Sequence, residues 1–484
     1  MEKPRIGLIT FGDEREDMWE KVFKALSEPR HSALLAYLKT LPVEVHAHDA
    51  VARTRDQINV QADSFRAAGV HVLIAHIPCW TSPNLVVHGI QRLDLPVALV
   101  TGKSPATHGM VGFLGTGGAL DQVGIPHLRV RETTGSAKMT ETLMPFIRAA
   151  AAAGALQDTV FGFFGGRSLG IDTGSFDPMQ WRRQFGVDVE HIDQSEIIRR
   201  AHNIREQAPD RARDMVDWME KTMGKVTYDG TALTREKLEF QSACYLATKD
   251  MIVEMGLGFV AVKCMPDLCT HHVPQCLSAA LLPGPFDADG PKKTVSMACE
   301  ADGDGALTME IMKHVSGGMP VLFGDLSHMD PEENLLYLPN CGAMSTWFAA
   351  RSDTAGENLE RVELRPSVRP GGGATVYFKA APGPITLARL YRWSGEYRMA
   401  IIPGEAIEPS REKLDEFIKA RGVHQLPTAF VKVSADPDDI VTEFGSNHIS
   451  GVAGDVQKEL IHFCRLRQIT PVVFPDGPNI RRMP

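Results

Sequence analysis

The chain has 484 residues, of which 43% are hydrophobic and 23% are charged, and its formal net charge is −9. The length is that of about three domains, and the composition is typical of globular proteins. No basic block or Lys/Arg stripe is present, so nucleic acid is not an expected partner. No apolar run approaches the ~18 residues of a membrane span, and the N-terminal apolar run is too short for an export signal. We therefore expect a cytoplasmic protein that binds no membrane.

Residues 1–155 alternate short apolar runs with helical patterns. RIGLITF, VEVHAH, HVLIAHI and PVALVTG are typical of buried parallel strands. The segments between them have apolar residues at helical spacing. This alternation predicts a doubly wound α/β domain, which an Ala-rich helix at MPFIRAAAAAGALQD connects to the next domain.

The same alternation restarts in residues 156–345, which we expect to form a second doubly wound α/β domain. Its predicted strands include TVFGFFG, VDVEHI, FVAVKCM, TVSMACE and PVLFGDL. In residues 346–484 the pattern changes to VELRPSVRP, ATVYFKA, ITLARLYRW, YRMAIIPGE and TAFVKVS, followed by a final helix and an edge strand, TPVVF. Short strands joined by Pro/Gly turns predict a C-terminal antiparallel β-barrel domain.

Glu300 and Asp325 each follow a short apolar strand, and the segment between them has the length of a βαβ crossover. A direct crossover would make the strands parallel neighbours, with both acids at one sheet edge. Carboxylates one strand spacing apart, about 4.8 Å, repel each other, and a divalent cation would remove this conflict. The alternative is that each acid only caps the loop or helix that follows it.

Asn447 and His448 lie in the segment GSNHIS, which we expect to be a loop after the barrel strands. The Gly, Ser and Asn neighbours favour an exposed hydrogen-bonding turn over an apolar core. This composition suits a polar site but does not identify which one.

Taken in order, these segments resemble the L-fucose isomerase family. CEADGDGALTMEIMKHVSGGMPVLFGD is similar to the metal-binding stretch of that family, GSNHIS to its histidine segment, and PGPITLARLYRWSGEYRMAIIPGEAI to its C-terminal barrel. The resemblance is closer after the N-terminal domain than within it. It implies a metal-dependent aldose–ketose isomerase in which Glu300, Asp325 and His448 hold one Mn²⁺ or another divalent cation.

The implied reaction passes through an enediol. The cation would polarise the carbonyl of an open-chain aldose, and a carboxylate would move the acidified proton from C2 to C1. The resemblance gives Glu300 and Asp325 both roles, metal ligand and acid/base catalyst, and leaves open which of them faces C2. It also implies a homo-oligomer, with a hexamer as the candidate assembly, in which a neighbouring N-terminal domain helps to close the pocket.

Five further residues are candidates for contacts with a sugar substrate. Arg167 and Ser168 follow a predicted strand in a Gly-rich segment without the Lys-Ser/Thr pair of a phosphate loop, so a sugar contact or a plain turn is favoured over a nucleotide site. Trp80 could stack on a sugar face, although loop aromatics more often pack against protein. Lys263 and Asn447 complete the set, and a solvated side chain is the simpler interpretation of Lys263.

The eight cysteines are expected to be reduced thiols, mostly buried. Cys264, Cys269 and Cys276 suggest a zinc site, but they include no CxxC pair and the fourth ligand is missing. Buried thiols are therefore the favoured interpretation.

Other functions are also compatible with the sequence. A sugar-binding or regulatory protein could use the same α/β halves, although the two acids suit a cation better than a neutral sugar. A metal-dependent sugar epimerase or an aldolase would use similar enediol chemistry, because fold does not determine function. The sugar itself, whether a deoxyhexose, a pentose or a charged modified hexose, is not specified.

Overall fold

The computed structural model describes residues 3–106, 108–341, 344–421 and 426–475. The chain divides into two compact units, of which the first comprises Met1–Ala155 with Lys458–Arg467 and the second Leu156–Gln457 with Gln468–Pro484. Within the described residues, no helix is both long enough and apolar enough to cross a membrane.

The first unit is built around a five-stranded parallel sheet. Val72–His76 and Val97–Thr101 are buried at every position, as expected of parallel strands covered by helices on both faces. Alternate residues serve opposite cores, with Leu73 in one and Ile74 in the other. The predicted parallel α/β arrangement is confirmed here. The strand order is Glu44–Ala47, Arg5–Thr10, Val72–His76, Val97–Thr101 and His127–Arg131.

Local sequence signals start the helices of this unit. The Thr54 side chain accepts a hydrogen bond from the Gln57 backbone, and the Gln57 side chain accepts one from Thr54 in return, which forms a capping box. Pro83 occupies the first turn of its helix, where its missing N–H costs nothing. The helices are Glu16–Met18, the π-helical Trp19–Phe23, Lys24–Leu38, Arg55–Ala67, Pro83–Leu93, Gly109–Gln122, Ala137–Ala155 and, near the C-terminus, Gln457–Leu466.

The second unit contains a four-stranded parallel sheet, in the order Met297–Ala298, Leu257–Val262, Val160–Phe164 and Asp188–Ile192. Ala298 pairs with Ala261, and Val262 pairs with Phe164. The segments that follow these three strands therefore leave the sheet at the same carboxyl edge, where ligands of α/β sheets bind.

The second sheet of this unit is antiparallel and curled. Its end strands, Val321–Asp325 and His328–Asp330, are almost consecutive in the chain, which requires the sheet to bend back on itself. The predicted antiparallel sheet is confirmed, but no pairing among the described residues closes it into a barrel. The predicted edge strand Thr470–Val473 pairs in parallel with Glu396–Ala406. The order is Val321–Asp325, His448–Ala453, Gly383–Trp393, Glu396–Ala406, Thr428–Val433, Leu335–Pro339 and His328–Asp330.

Helices and short ribbons complete the second unit. The α-helices are Pro178–Phe185, Ser195–Gln207, Pro209–Thr222, Arg235–Glu254, Asp267–His271, Cys276–Leu281, Gly303–Val315, Ala355–Leu359, Arg411–Arg421 and Pro437–Glu443. The 3₁₀ turns are Asp172–Gly174, Cys299–Ala301 and Thr346–Ala349, and Phe286–Asp287 pairs with Gly290–Pro291.

The predicted βαβ crossover around Glu300 and Asp325 is wrong. Met297–Ala298 lies in the parallel sheet, whereas Val321–Asp325 pairs antiparallel with His448–Ala453 in the curled sheet. The helix between them, Gly303–Val315, is buried along nearly its whole length and contacts both sheets. A helix that is buried on all sides lies between two layers, so the chain passes along it from the parallel sheet to the curled sheet.

Two predicted barrel strands also lie elsewhere. Glu363–Pro366 and Ala374–Tyr377 pair with each other, and the first of them pairs with Lys225–Val226 in a separate three-stranded sheet. Their alternating pattern predicts a strand correctly but carries no information on its partner.

Candidate functional site

Glu300, Asp325 and His448 come together in the second unit. His448 Nε2 lies 3.2 Å from Glu300 Oε2 and 3.4 Å from Asp325 Oδ1. Asp325 and His448 are cross-strand partners in the curled sheet, and Glu300 follows a strand of the parallel sheet. The site therefore draws its acids from two different sheets, not from neighbouring strands of one sheet as the sequence predicted.

His448 is the first residue of a strand and not part of an exposed turn. Its side chain is 1% exposed, so the expectation of a solvent-facing histidine is wrong. The strand His448–Ala453 lies between two other strands of the curled sheet, and the Phe323 ring packs against the imidazole at 4.8 Å. The polar neighbours Ser446 and Asn447 precede the strand, which explains why their composition suggested a loop.

Glu300 is held in an unusual backbone conformation. Its φ is 57° and that of Ala301 is 54°, so two consecutive non-glycine residues adopt the left-handed region. Such residues cost of order 1–3 kcal/mol each and cluster at functional sites. The turn is closed by the hydrogen bond from Asp302 N to Cys299 O. The Glu300 side chain is 13% exposed and that of Asp325 is 38% exposed. Both carboxylates are therefore partly accessible to solvent, whereas His448 is buried.

Asp302 orients His448 from the opposite side. His448 Nδ1 lies 2.7 Å from Asp302 Oδ2, and both side chains are buried. Arg389 donates to both oxygens of Asp302, at 2.5 and 3.0 Å, and Gly305 N donates to Asp302 Oδ1 at the start of the helix. A buried charge needs such full pairing. The arrangement directs Nε2 of His448 toward Glu300 and Asp325.

The electrostatics of this group follow from burial and pairing. Burial alone would lower the pKa of His448, but hydrogen bonds to Asp302, Asp325 and Glu300 raise it well above its ordinary value. Burial would raise the pKa of Asp302, but Arg389 and His448 hold that pKa well below its usual range. A positive charge between Glu300 and Asp325 is therefore strongly favoured, whether a proton on His448 or a cation supplies it.

The donor set fits a divalent cation. Among the described residues, no group of three or more His, Cys, Asp and Glu side chains is spaced around a position for a metal ion. Both carboxylates instead contact Nε2 of His448 directly as hydrogen-bonded pairs. Two carboxylates and one imidazole are a donor set that suits Mn²⁺ and similar ions. Asp302 on the far nitrogen is the partner that metal-binding histidines generally have.

Three of the predicted sugar contacts follow strands of the parallel sheet at the edge that carries Glu300. The Lys263 ammonium pairs with Asp267 Oδ2 at 2.7 Å, and the exposed Arg167 pairs with Asp172. Ser168 is buried and donates to the Met265 carbonyl at 2.8 Å, so its hydroxyl holds the loop together.

Asn447 and Trp80 lie in different units. Asn447 accepts a hydrogen bond from the Thr173 hydroxyl at 3.1 Å, next to the Arg389 contact with the Thr173 carbonyl. Trp80 belongs to the first unit and packs against the buried cluster that includes Trp19 and Phe23. The sugar contacts of all five residues stay predictions.

Asp302 and Arg389 are the functional residues that the sequence interpretation missed. Arg389 interrupts the apolar run ITLARLYRW, and an arginine is almost never buried without a partner. That pattern was a usable signal for a buried ion pair. Asp302, however, could not be chosen from the acids in CEADGD without knowledge of the fold.

Comparisons with known proteins identify related domains in both parts of the chain. Residues 3–158 match the first N-terminal domain of L-fucose isomerase, and residues 338–473 match its C-terminal domain. Sulfoquinovose isomerase from Alkalicoccus urumqiensis is 27% identical over 63% of this chain, and the match spans only 61% of that protein. Sulfoquinovose isomerase from Priestia megaterium is 21% identical, with 91% of this chain and 94% of that protein covered. L-fucose isomerase from Streptococcus pneumoniae is 22% identical, with 93% and 88% covered.

Proposed function

The chain belongs to the L-fucose isomerase family, and we propose that it is a divalent-metal-dependent aldose–ketose isomerase that acts on a free sugar. The observation that carries the proposal is the meeting of two carboxylates, Glu300 and Asp325, at one nitrogen of the buried His448. These residues lie far apart in the chain and are brought together only by the fold. The names of the related proteins support the reaction class.

Glu300, Asp325 and His448 Nε2 would hold the cation, with Mn²⁺ as the expected ion and other divalent ions as alternatives. When bound, the cation supplies Lewis-acid polarisation of the sugar carbonyl. Asp302 and Arg389 keep His448 oriented. One of the two carboxylates removes the proton from C2 of the open-chain sugar and returns it to C1, so that an aldose becomes a ketose through an enediol.

The sugar is the least determined part of the proposal. The relatives make sulfoquinovose and L-fucose the first two sugars to test. Arg167 and Lys263 are cationic side chains that follow two strands of the parallel sheet, at the carboxyl edge that also carries Glu300. Each is paired with an acid, Asp172 or Asp267. An anionic substituent on the sugar would compete with those acids for the two cations.

The proposal also includes the assembly and location of the protein. We propose a homo-oligomer, with a hexamer as the candidate, in which Trp80 of one subunit contributes to the pocket of another. A cytoplasmic location belongs to the same proposal. Light scattering on the purified protein measures the oligomeric state directly.

The reaction is tested by removing metal with a chelator, restoring Mn²⁺, and incubating the protein in D₂O with a panel of aldoses. NMR then reports ketose and carbon-bound deuterium separately. Metal-dependent formation of a ketose supports the proposal and identifies the sugar. Deuterium exchange without ketose would indicate another enediol reaction such as epimerisation, and sugar binding without any exchange would indicate a binding protein.

Variants assign the acids. Glu300→Gln and Asp325→Asn are expected to lower turnover by roughly 10²- to 10⁴-fold, the range for loss of acid–base catalysis. Glu332→Gln, an exposed carboxylate in a turn of the curled sheet, is the matched control and should retain wild-type turnover. Full activity of both site variants would refute the assignment.

A further inference from the structure

Five of the eight cysteines lie close together at the carboxyl edge of the parallel sheet. They are Cys264, Cys269, Cys276, Cys299 and Cys341. The Sγ atoms of Cys264 and Cys269 are 3.0 Å apart, and those of Cys299 and Cys341 are 3.5 Å apart. Cys276 Sγ lies 2.7 Å from the Cys341 carbonyl oxygen. The fold thus adds two thiols to the three that sequence spacing had suggested.

The contacts between these thiols place them for oxidation to disulfides. None of the eight cysteines, all of which the structure describes, is in a disulfide. Thiol pairs in van der Waals contact need only a small approach to reach the S–S bond length of about 2.05 Å.

Cys341 is the point at which an oxidant would enter. The other seven cysteines are buried, whereas Cys341 is partly exposed. Cys341 is also in direct contact with a second thiol, because its Sγ atom lies 3.5 Å from that of Cys299. Accessible thiols with a neighbouring resolving cysteine are the ones that hydroperoxides convert to disulfides most readily.

We propose that Cys341 and Cys299 form a reversible oxidation site for hydroperoxides. In the first step the Cys341 sulfur attacks one oxygen of hydrogen peroxide and the O–O bond breaks. The departing hydroxide takes the thiol proton and leaves as water, and Cys341 becomes a sulfenic acid. In the second step the Cys299 sulfur attacks the Cys341 sulfur and the S–O bond breaks. The departing hydroxide takes the Cys299 proton and leaves as a second water. Two thiols are thereby oxidised to a disulfide and one peroxide is reduced to two waters.

The disulfide would act on the candidate site through Glu300. Cys299 directly precedes Glu300, and the turn Cys299–Ala301 already contains two left-handed residues. Drawing Cys299 toward Cys341 shifts a turn that has little conformational freedom, so the Glu300 carboxylate moves relative to His448. Loss of turnover on oxidation follows, and this consequence rests on the proposed isomerase function.

The cross-link itself is measured by mass spectrometry. Wild-type protein is treated with hydrogen peroxide, blocked with an alkylating agent and digested with trypsin. Cleavage after Lys and Arg separates the thiols into the peptides 264–292, with Cys264, Cys269 and Cys276, 294–313, with Cys299, and 314–351, with Cys341. A species two hydrogen atoms lighter than the sum of 294–313 and 314–351 is expected, and it should disappear after dithiothreitol. A link between 264–292 and 314–351 in its place, or no link at all, overturns the proposal.

Variants then connect the cross-link to turnover. Peroxide should abolish most turnover in the wild type, and dithiothreitol should restore it. Cys341→Ser and Cys299→Ser should both resist, whereas Cys464→Ala, a buried thiol of the first unit, should stay as sensitive as the wild type. Equal sensitivity of Cys341→Ser and the wild type overturns the proposal. The mass measurement uses no sugar, so a cross-link in a protein that isomerises nothing would reject the proposed function alone, and an active enzyme without the cross-link would reject the oxidation site alone.

Discussion

The two sides of the candidate site are built in different ways. Asp325 and His448 are cross-strand partners in a regular antiparallel pairing of five residue pairs. Glu300 instead lies in a left-handed turn between a two-residue strand and the helix Gly303–Val315. On the strand side, many backbone hydrogen bonds hold the two residues, so one side-chain substitution removes little of the free energy of unfolding. On the turn side, the conformation depends on a few buried charged side chains. We therefore expect changes on the turn side to have larger effects on stability than changes on the strand side.

The largest effect is expected from the buried charge behind the turn. Asp302→Ala would leave Arg389 buried without its carboxylate, and breaking a buried pair typically costs about 3–5 kcal/mol. Urea unfolding measures the change in the free energy of unfolding. In the double variant Asp302→Leu/Arg389→Met both charges are removed, so much of the loss should be recovered. An Asp302→Ala protein of wild-type stability would contradict the importance given to this pair.

The pKa of the neighbouring acid, Asp304, is shifted upward, in the opposite direction to that of Asp302. Burial raises the pKa of Asp304 to about 6, although Arg392 and Arg389 favour its charged form. In the unfolded chain the pKa is about 3.9, so the folded state binds more protons between these values and stability falls as pH rises from about 4 to about 6. The shift of about two pKa units corresponds to roughly 3 kcal/mol.

The variant Asp304→Asn removes this titration while preserving the acceptor for the Tyr397 hydroxyl, 2.8 Å away. Between pH 4 and pH 7 the free energy of unfolding of the wild type should therefore decline relative to that of the variant. The two pH profiles are compared by urea unfolding, which cancels the other titrating groups. Parallel profiles would show that Asp304 ionises normally.

A smaller effect tests the strain in the turn. Ala301→Gly should raise the free energy of unfolding by about 1 kcal/mol, because glycine tolerates the φ of 54° without a Cβ clash. Ala306→Gly, in the buried helix that follows, is the matched control and should lower it by about 1 kcal/mol. Thermal and urea unfolding of both variants decide the sign. Destabilisation by Ala301→Gly would mean that the turn is not strained.

The smallest stability effect is expected on the strand side. Asp325→Asn changes a side chain that is 38% exposed and leaves the backbone ladder intact, so the free energy of unfolding should change by less than about 1 kcal/mol. Its turnover should nevertheless collapse if Asp325 binds the cation. Stability and turnover that fell together would instead make Asp325 a structural residue.

Local patterns in the sequence were sufficient for most strands but not for their partners. Buried runs such as Val72–His76 and Val97–Thr101 were recognised because parallel strands are apolar throughout. Val321–Asp325 has the same appearance and was therefore assigned to the wrong sheet. The pattern reports that a strand is buried, and it does not report which layer buries it.

The candidate metal ligands illustrate the same limit. The order and spacing of the segments resemble those of the family, and this resemblance points to Glu300, Asp325 and His448 without information on their proximity. Glu300 and Asp325 do not follow neighbouring parallel strands as predicted, although their carboxylates do meet at His448. Asp302 was overlooked because an acid that caps a helix and an acid that orients a histidine look alike in a sequence.

The sequence by itself determined the parallel first sheet, the presence of an antiparallel C-terminal sheet and the family resemblance, because these depend on local periodicity and on ordered motifs. The tertiary structure alone decided that Gly303–Val315 lies between two sheets, that His448 is buried on Asp302, and that Cys299 contacts Cys341. Those contacts join residues 42 and 146 positions apart. Packing of whole layers sets such pairings, since the free energy of burying an apolar face is non-directional and does not specify which partner covers it.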